Sequence, residues 1–182
     1  MKSGLLITVA LLNLALVLGV VQSQIAQKNT VIENGRTVLL PLLPRDPRSL
    51  IQGDYMVLRQ GLSREARDLP ESFEVDTRGK IVLSIDENGV GEADRFYKAE
   101  DLKENEQLIK YRRAQRGFRF GLESFFFEEG DAKIFEEAKF AEVKISKEGE
   151  PVLVGLRDGD REPLGSEDES SASPEESDQR ED

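Results

Sequence analysis

From Gly4 to Val21 the chain reads GLLITVALLNLALVLGVV, 18 consecutive residues without a charge. At about 1.5 Å per residue a helix of this length reaches roughly 27 Å, close to the thickness of a bilayer core. The run is longer than the apolar stretch of a cleaved secretory signal, usually about 7 to 15 residues, and only Val21-Gln22-Ser23 resembles a processing point. An uncleaved anchor that crosses the membrane through residues 4–21 is therefore expected. Lys2 precedes the run and no basic residue follows it until Lys28. That asymmetry holds the N-terminus in the cytoplasm and exports the rest, giving a single-pass protein of the inner (cytoplasmic) membrane with its domain on the periplasmic or extracellular side. Within the run Thr8, Leu12, Ala15 and Gly19 share one helical stripe, and Asn13 is the strongly polar side chain.

Charge divides the remainder. Residues 158–182 hold 11 Asp or Glu against Arg161 and Arg180, a local charge of -9 in a chain whose total is -11. The acidity thus belongs to a tail, and the part that folds is nearly neutral. The tail has almost nothing apolar to bury, so disorder is expected from about residue 158. The organisation read from sequence is an anchor over 1–24, a domain over 25–157 and an acidic tail over 158–182. Cys and His are both absent, which removes disulfides, thiol nucleophiles, imidazole bases and the usual zinc sites. No cofactor and no metal site are expected.

Between anchor and tail, short apolar runs alternate with turn signals, and the expected fold class is α+β, mostly β, with one short helix. Thr37–Leu43 is an extended run after the Asn34-Gly35 turn, and Pro41 confines it to a sheet edge or a bulge. Lys80–Ile85 places Ile81, Leu83 and Ile85 on one face, and Asp86-Glu87-Asn88-Gly89 turns the chain back toward Asp94–Tyr97. Further strands are expected at 55–58, 107–112, 118–122, 141–145 and 152–156, with a turn at 147–150. Asp131 can cap a helix over 131–140 whose apolar side is Ile134, Phe135 and Ala138.

Residues 44–58, PRDPRSLIQGDYMVL, carry the most distinctive local pattern. Two prolines stiffen a turn, Gly53 permits close backbone approach, Asp54 can accept amides at a strand entrance, and Arg48 is placed to meet a carboxylate. This is the make-up of a structural clasp. Gly53-Asp54-Tyr55 followed by Leu58 resembles the box that names the GDYXXLXY proteins. Leu40 to Arg48, ending in Asp46-Pro47-Arg48, resembles that family's preceding stretch. Phe126-Phe127-Glu128-Glu129-Gly130 and Gly149 to Leu156 resemble its C-terminal half. The last Tyr of the family's name is Gln60 here. The resemblance spans about residues 25–157 and implies a short membrane-anchored bacterial protein, often encoded beside a large multi-spanning membrane protein. A non-catalytic partner of such a protein is the expected role.

Two other patterns compete with it. Pro47, Leu50, Gly53 and Asp54 after an anchor loosely resemble type I signal peptidases, and Ser49 with Lys80 would be the replacement pair for a hydrolase. Pro44 and Arg45 occupy the place where that family's nucleophile belongs, so no catalytic residue is assigned. Lys110, Arg112, Arg113, Arg116 and Arg119 form a basic stretch free of acids, interleaved with Tyr111, Phe118 and Phe120. Export and the near-neutral domain argue against nucleic acid. The stretch is instead a candidate contact for an anion or for the protein's own tail. Phe125, Phe126 and Phe127 are expected to divide between the core and the opposite face of a strand.

Overall fold

The computed structural model describes residues 2–43, 55–58, 60–115, 117–128 and 131–165, with the backbone alone at 2–10, 55 and 132. Helix α1 spans Lys2–Asn34. Among the described residues nine strands follow: β1 Arg36–Pro41, β2 Tyr55–Val57, β3 Arg78–Ile85, β4 Gly91–Phe96, β5 Glu106–Ala114, β6 Gly117–Arg119, β7 Ser124–Phe126, β8 Phe140–Ile145 and β9 Pro151–Arg157. Helix α2, Gly61–Asp68, lies between β2 and β3, and a 3-10 helix covers Asp131–Glu137. The mostly β fold matches the expectation.

The strands form three antiparallel sheets, ordered β1-β8-β9, β2-β7 and β4-β3-β5-β6. Strand β1 is an edge, as Pro41 requires. The inner faces meet in one core, where Val38 and Leu40 of β1, Ile81, Leu83 and Ile85 of β3, and Ala141, Val143 and Ile145 of β8 are all buried. Phe96, Tyr111 and Phe118 stack edge-on or tilted, with ring centroids 5.1 to 5.7 Å apart. Gly79 leaves room for the Tyr111 ring, since a Cβ at that position would sit 2.6 Å from the phenolic oxygen.

Four expectations are corrected. The N-terminal helix does not stop near residue 24 but runs on to Asn34, because residues 25–34 hold no Gly or Pro and Val31 is buried. The Gly35 amide donates to the Val31 carbonyl at 2.8 Å and closes the last turn. The helix expected over 131–140 ends at Glu137 as a 3-10 helix, because Phe140 pairs with Arg157 as the first residue of β8. Helix α2 was not expected, although Leu62 and Ala66, four apart, are both fully buried. Residues 158–165, assigned to the tail, are folded. Asp158 Oδ1 accepts the amides of Asp160 and Glu162 at 2.9 Å each, and the Leu164 amide donates to the Leu156 carbonyl. Leu164 then packs against the core. The rest of the tail, 166–182, lies outside the described residues.

Glu106 is buried near the start of β5. It accepts from the Arg95 guanidinium at 2.9 and 3.1 Å and from the Lys103 amide at 3.0 Å. The hydrogen bonds from Arg95, then the Lys103 amide, hold its carboxyl down at about 2. An acid whose folded pKa lies below its usual 4.5 stabilises the fold above that value and loses the contribution as pH falls toward 2. Glu106→Gln is expected to lower the melting midpoint at neutral pH and to flatten its fall between about pH 4.5 and 2. Parallel acid titrations of melting for the two proteins check this.

Candidate functional site

Strand β5 lies inside the four-stranded sheet, so its side chains alternate between the two faces; both faces are covered from Glu106 to Ile109, and one opens to solvent only beyond Ile109. Ile109 and Tyr111 go inward while Lys110 and Arg112 go outward. Register then decides which cations meet. Arg78 of β3 lies opposite Arg112, which lies opposite Arg119 of β6; Lys80 lies opposite Lys110. Adjacent strands are about 4.8 Å apart, so three arginines form a row roughly 10 Å long. Directly opposed like charges are unfavourable unless something neutralises them.

The two rows differ in how far they are neutralised. Lys110 Nζ pairs with Glu150 at 3.0 Å. Its own amide and the Ser146 hydroxyl, aided by the fields of Lys110 and Lys80, hold the Glu148 carboxyl below the usual range. Lys80 Nζ also lies 5.8 Å over the Tyr97 ring. By contrast the side chains of Arg78, Arg112 and Arg119 are exposed and make no hydrogen bond or ion pair among the described residues.

Helix α2 extends the arginine row. The Ser63 hydroxyl donates to the Phe118 carbonyl at 2.7 Å, and the Arg67 stem lies against Gly117, where a Cβ would come within 3.1 Å of Cδ. These contacts seat α2 on β6 and bring Arg64 and Arg67 to a cleft of about 860 Å³ that they line together with Arg119 and Glu123. Arg64 and Arg67 are exposed and likewise lack a polar partner among the described residues. Glu123 is engaged with the amides of Phe120 and Gly121 at 2.9 and 3.2 Å.

Leu43 and Leu58 also line this cleft, so the chain enters and leaves the motif segment at its rim. Asp46, Pro47, Arg48, Gly53 and Asp54 lie outside the described residues, as do Ser49 and Arg116. Tyr55 pairs with Phe126 through the backbone. Leu58 is buried, and its amide donates to the Glu123 carbonyl at 2.8 Å. Gln60, the departure from the family box, is buried too and donates Nε2 to the Leu122 carbonyl at 2.6 Å. The end of the box is therefore tied to the connection between β6, which carries Arg119, and β7.

Sequence reasoning placed Lys110, Arg112 and Arg119 on one surface, and the structure unites them. It removes Arg113, whose guanidinium turns to the other face of β5 and donates to the carbonyls of Phe73 and Val75 at 3.1 and 3.2 Å. It adds Arg64, Arg67, Arg78 and Lys80. The sign of the first two was Arg-x-x-Arg on a helix with Leu62 and Ala66 behind it; that of the others was period-two spacing at the start of β3. The interleaved aromatics Tyr111, Phe118 and Phe120 are all buried, so they serve the core and offer no exposed stacking surface. Phe125 and Phe127 pack on Phe135 while Phe126 is exposed, the division expected of a strand. No cluster of metal-ligating side chains occurs among the described residues.

A helical stalk joined to a curled, mostly β domain with a basic cleft defines the class of protein. A family model described as GDYXXLXY protein matches residues 17–156, and the chain belongs to that family. No curated protein and no solved structure matches the chain.

Replacing Gln60 with Ala strands the buried Leu122 carbonyl. The expected cost is about 1 to 3 kcal/mol, read as a lower melting midpoint, with Gln60→Glu unable to restore it because a carboxylate cannot donate.

Proposed function

We propose that this chain is a membrane-tethered accessory domain that binds a larger multi-spanning membrane protein and carries out no chemistry of its own. The observation that supports the reading is the environment of α1. Leu11, Leu12, Leu14, Leu16, Val17, Leu18, Val20 and Val21 are all exposed, on every side of the helix. A helix apolar all round needs apolar surroundings, either other protein or lipid. Among the described residues no helix is long and apolar enough to cross a membrane. The side chains of residues 4–10, which begin the 18-residue uncharged run, lie outside the described part.

The connection favours a fixed mount over a loose tether. Thirteen residues of the same helix follow Val21 before Gly35, a rise of about 20 Å. Gly35 itself has no room for a side chain: a Cβ would press on the Val31 carbonyl and lie 3.1 Å from the Ile145 amide and carbonyl. A domain held at one height and one orientation suits lateral contact with a neighbour in the same membrane. The N-terminus is cytoplasmic and the domain exported in this reading. Lys80, the base required by a hydrolase, lies beside Lys110 and the Tyr97 ring on the outer face of β3.

Alkaline extraction of membranes is expected to leave the full-length protein in the pellet, and protease added to spheroplasts is expected to trim the domain while sparing residues 4–21. Photocrosslinkers at Ile25 and Ile32, both exposed on the stalk, are expected to capture one multi-spanning protein. A soluble mature form that begins near Gln24 would overturn the tether.

A further inference from the structure

We propose that the arginine row Arg78, Arg112 and Arg119, with Arg64 and Arg67 beside it, is an acidic-peptide site whose occupant is the chain's own segment 166–182.

The site is a geometric fact of three strands and one helix. Five guanidinium groups gather on one surface, and none has a carboxylate partner among the described residues. Guanidinium groups present planar forks of N–H donors that match carboxylates in pairs. The neighbouring lysine row is provided for by Glu148 and Glu150. Glu123 and Glu150 line a pocket with Arg112 and Arg119 but form no ion pair with either, and carboxylates brought from elsewhere would relieve the repulsion along the row.

Charge, exit point and reach select the occupant. Segment 166–182 carries 8 acidic residues and one Arg, arranged as Glu167-Asp168-Glu169 and then Glu175-Glu176 with Asp178. The last described residue, Gly165, lies against the Phe135 ring, where an added Cβ would be 2.7 Å from Cζ. Phe135 stacks on Phe125 at 5.1 Å between centroids, and Phe125 is two residues from Glu123, which lines the cleft with Arg119. Gly165, from which the segment departs, is thus linked through Phe135 and Phe125 to the stretch that carries Glu123. A 17-residue chain rich in charge and Ser has a typical reach of about 20 to 25 Å, enough to bring either acidic block to the arginines. Tethering raises the local concentration of those carboxylates to about the millimolar range, so contacts that are weak one by one become occupied. The engagement is electrostatic and loosens with salt. It does not depend on the membrane reading, because every group in it belongs to this chain.

The test compares the full chain with a variant that ends at Gly165, both in detergent micelles. The probe is a fluorescent peptide of sequence 166–182. At low salt the shortened protein is expected to bind the peptide several-fold more tightly than the full chain, whose site is filled in cis. Arg112→Gln with Arg119→Gln in the shortened protein is expected to weaken binding about tenfold, and 0.5 M salt to abolish it. Both positions are exposed, and an unchanged melting midpoint confirms the fold of the variant. Equal peptide binding by the two chain lengths, or binding indifferent to the two substitutions, overturns the proposal. So does tighter binding of the shortened protein to phosphatidylglycerol vesicles than to the peptide at equal anion concentration, which would make the face a lipid surface.

Discussion

The period-two alternation of β5 is the constraint on which the rest of the molecule depends. A strand with neighbours on both sides has no freedom to rotate, so every residue is committed to one face by the ladder that holds it. Its inward set, Ile109 and Tyr111, joins the core that the β1-β8-β9 sheet closes from the other side. Its outward set, Lys110 and Arg112, becomes the middle of a basic surface. Core and candidate site are two faces of one ladder, and a shift of one residue would exchange them.

The helical stalk and the site are held to this ladder by close backbone approaches and by hydrogen bonds to carbonyls. Gly35 lets the end of α1 meet β8, and Gly117 admits the Arg67 stem to β6. Gln60 and Ser63 each donate to a carbonyl near β6, those of Leu122 and Phe118. Buried carbonyls must find donors, so these two side chains have little freedom to serve any other purpose. The side chains of Arg64, Arg67, Arg78, Arg112 and Arg119 have no polar partner among the described residues, and binding of anions is the chemistry that they offer.

Much of the fold was legible because local physics and tertiary structure agree there. Pro41 cannot donate to a ladder, and β1 is an edge; Ile81, Leu83 and Ile85 alternate, and all three are buried. Legibility failed where a local signal was weaker than a distant contact. No helix was expected over residues 61–68, yet α2 forms there because Leu62 and Ala66 have a core to enter. Residues 158–165 read as tail, yet Leu164 has the same core beside it. Of the candidate site, Lys110, Arg112 and Arg119 could be read directly, because a run of cations along β5 and β6 is visible in sequence. The rest depended on pairing partners tens of residues away, and the loss of Arg113 to the carbonyls of Phe73 and Val75 left no local trace.

By itself the sequence determined the properties that need only near neighbours: an uncharged run from Gly4 to Val21, strands with period-two patterning, turns at Gly and Asn, an acidic end and a family box. Each follows from the chemistry of residues within a few positions of one another. Tertiary structure alone decided that α2 sits on β6 and that Arg78, Arg112 and Arg119 stand in one row. The physical reason is that cross-strand register joins residues 34 and 7 positions apart, and the shared apolar core sets which register the strands adopt.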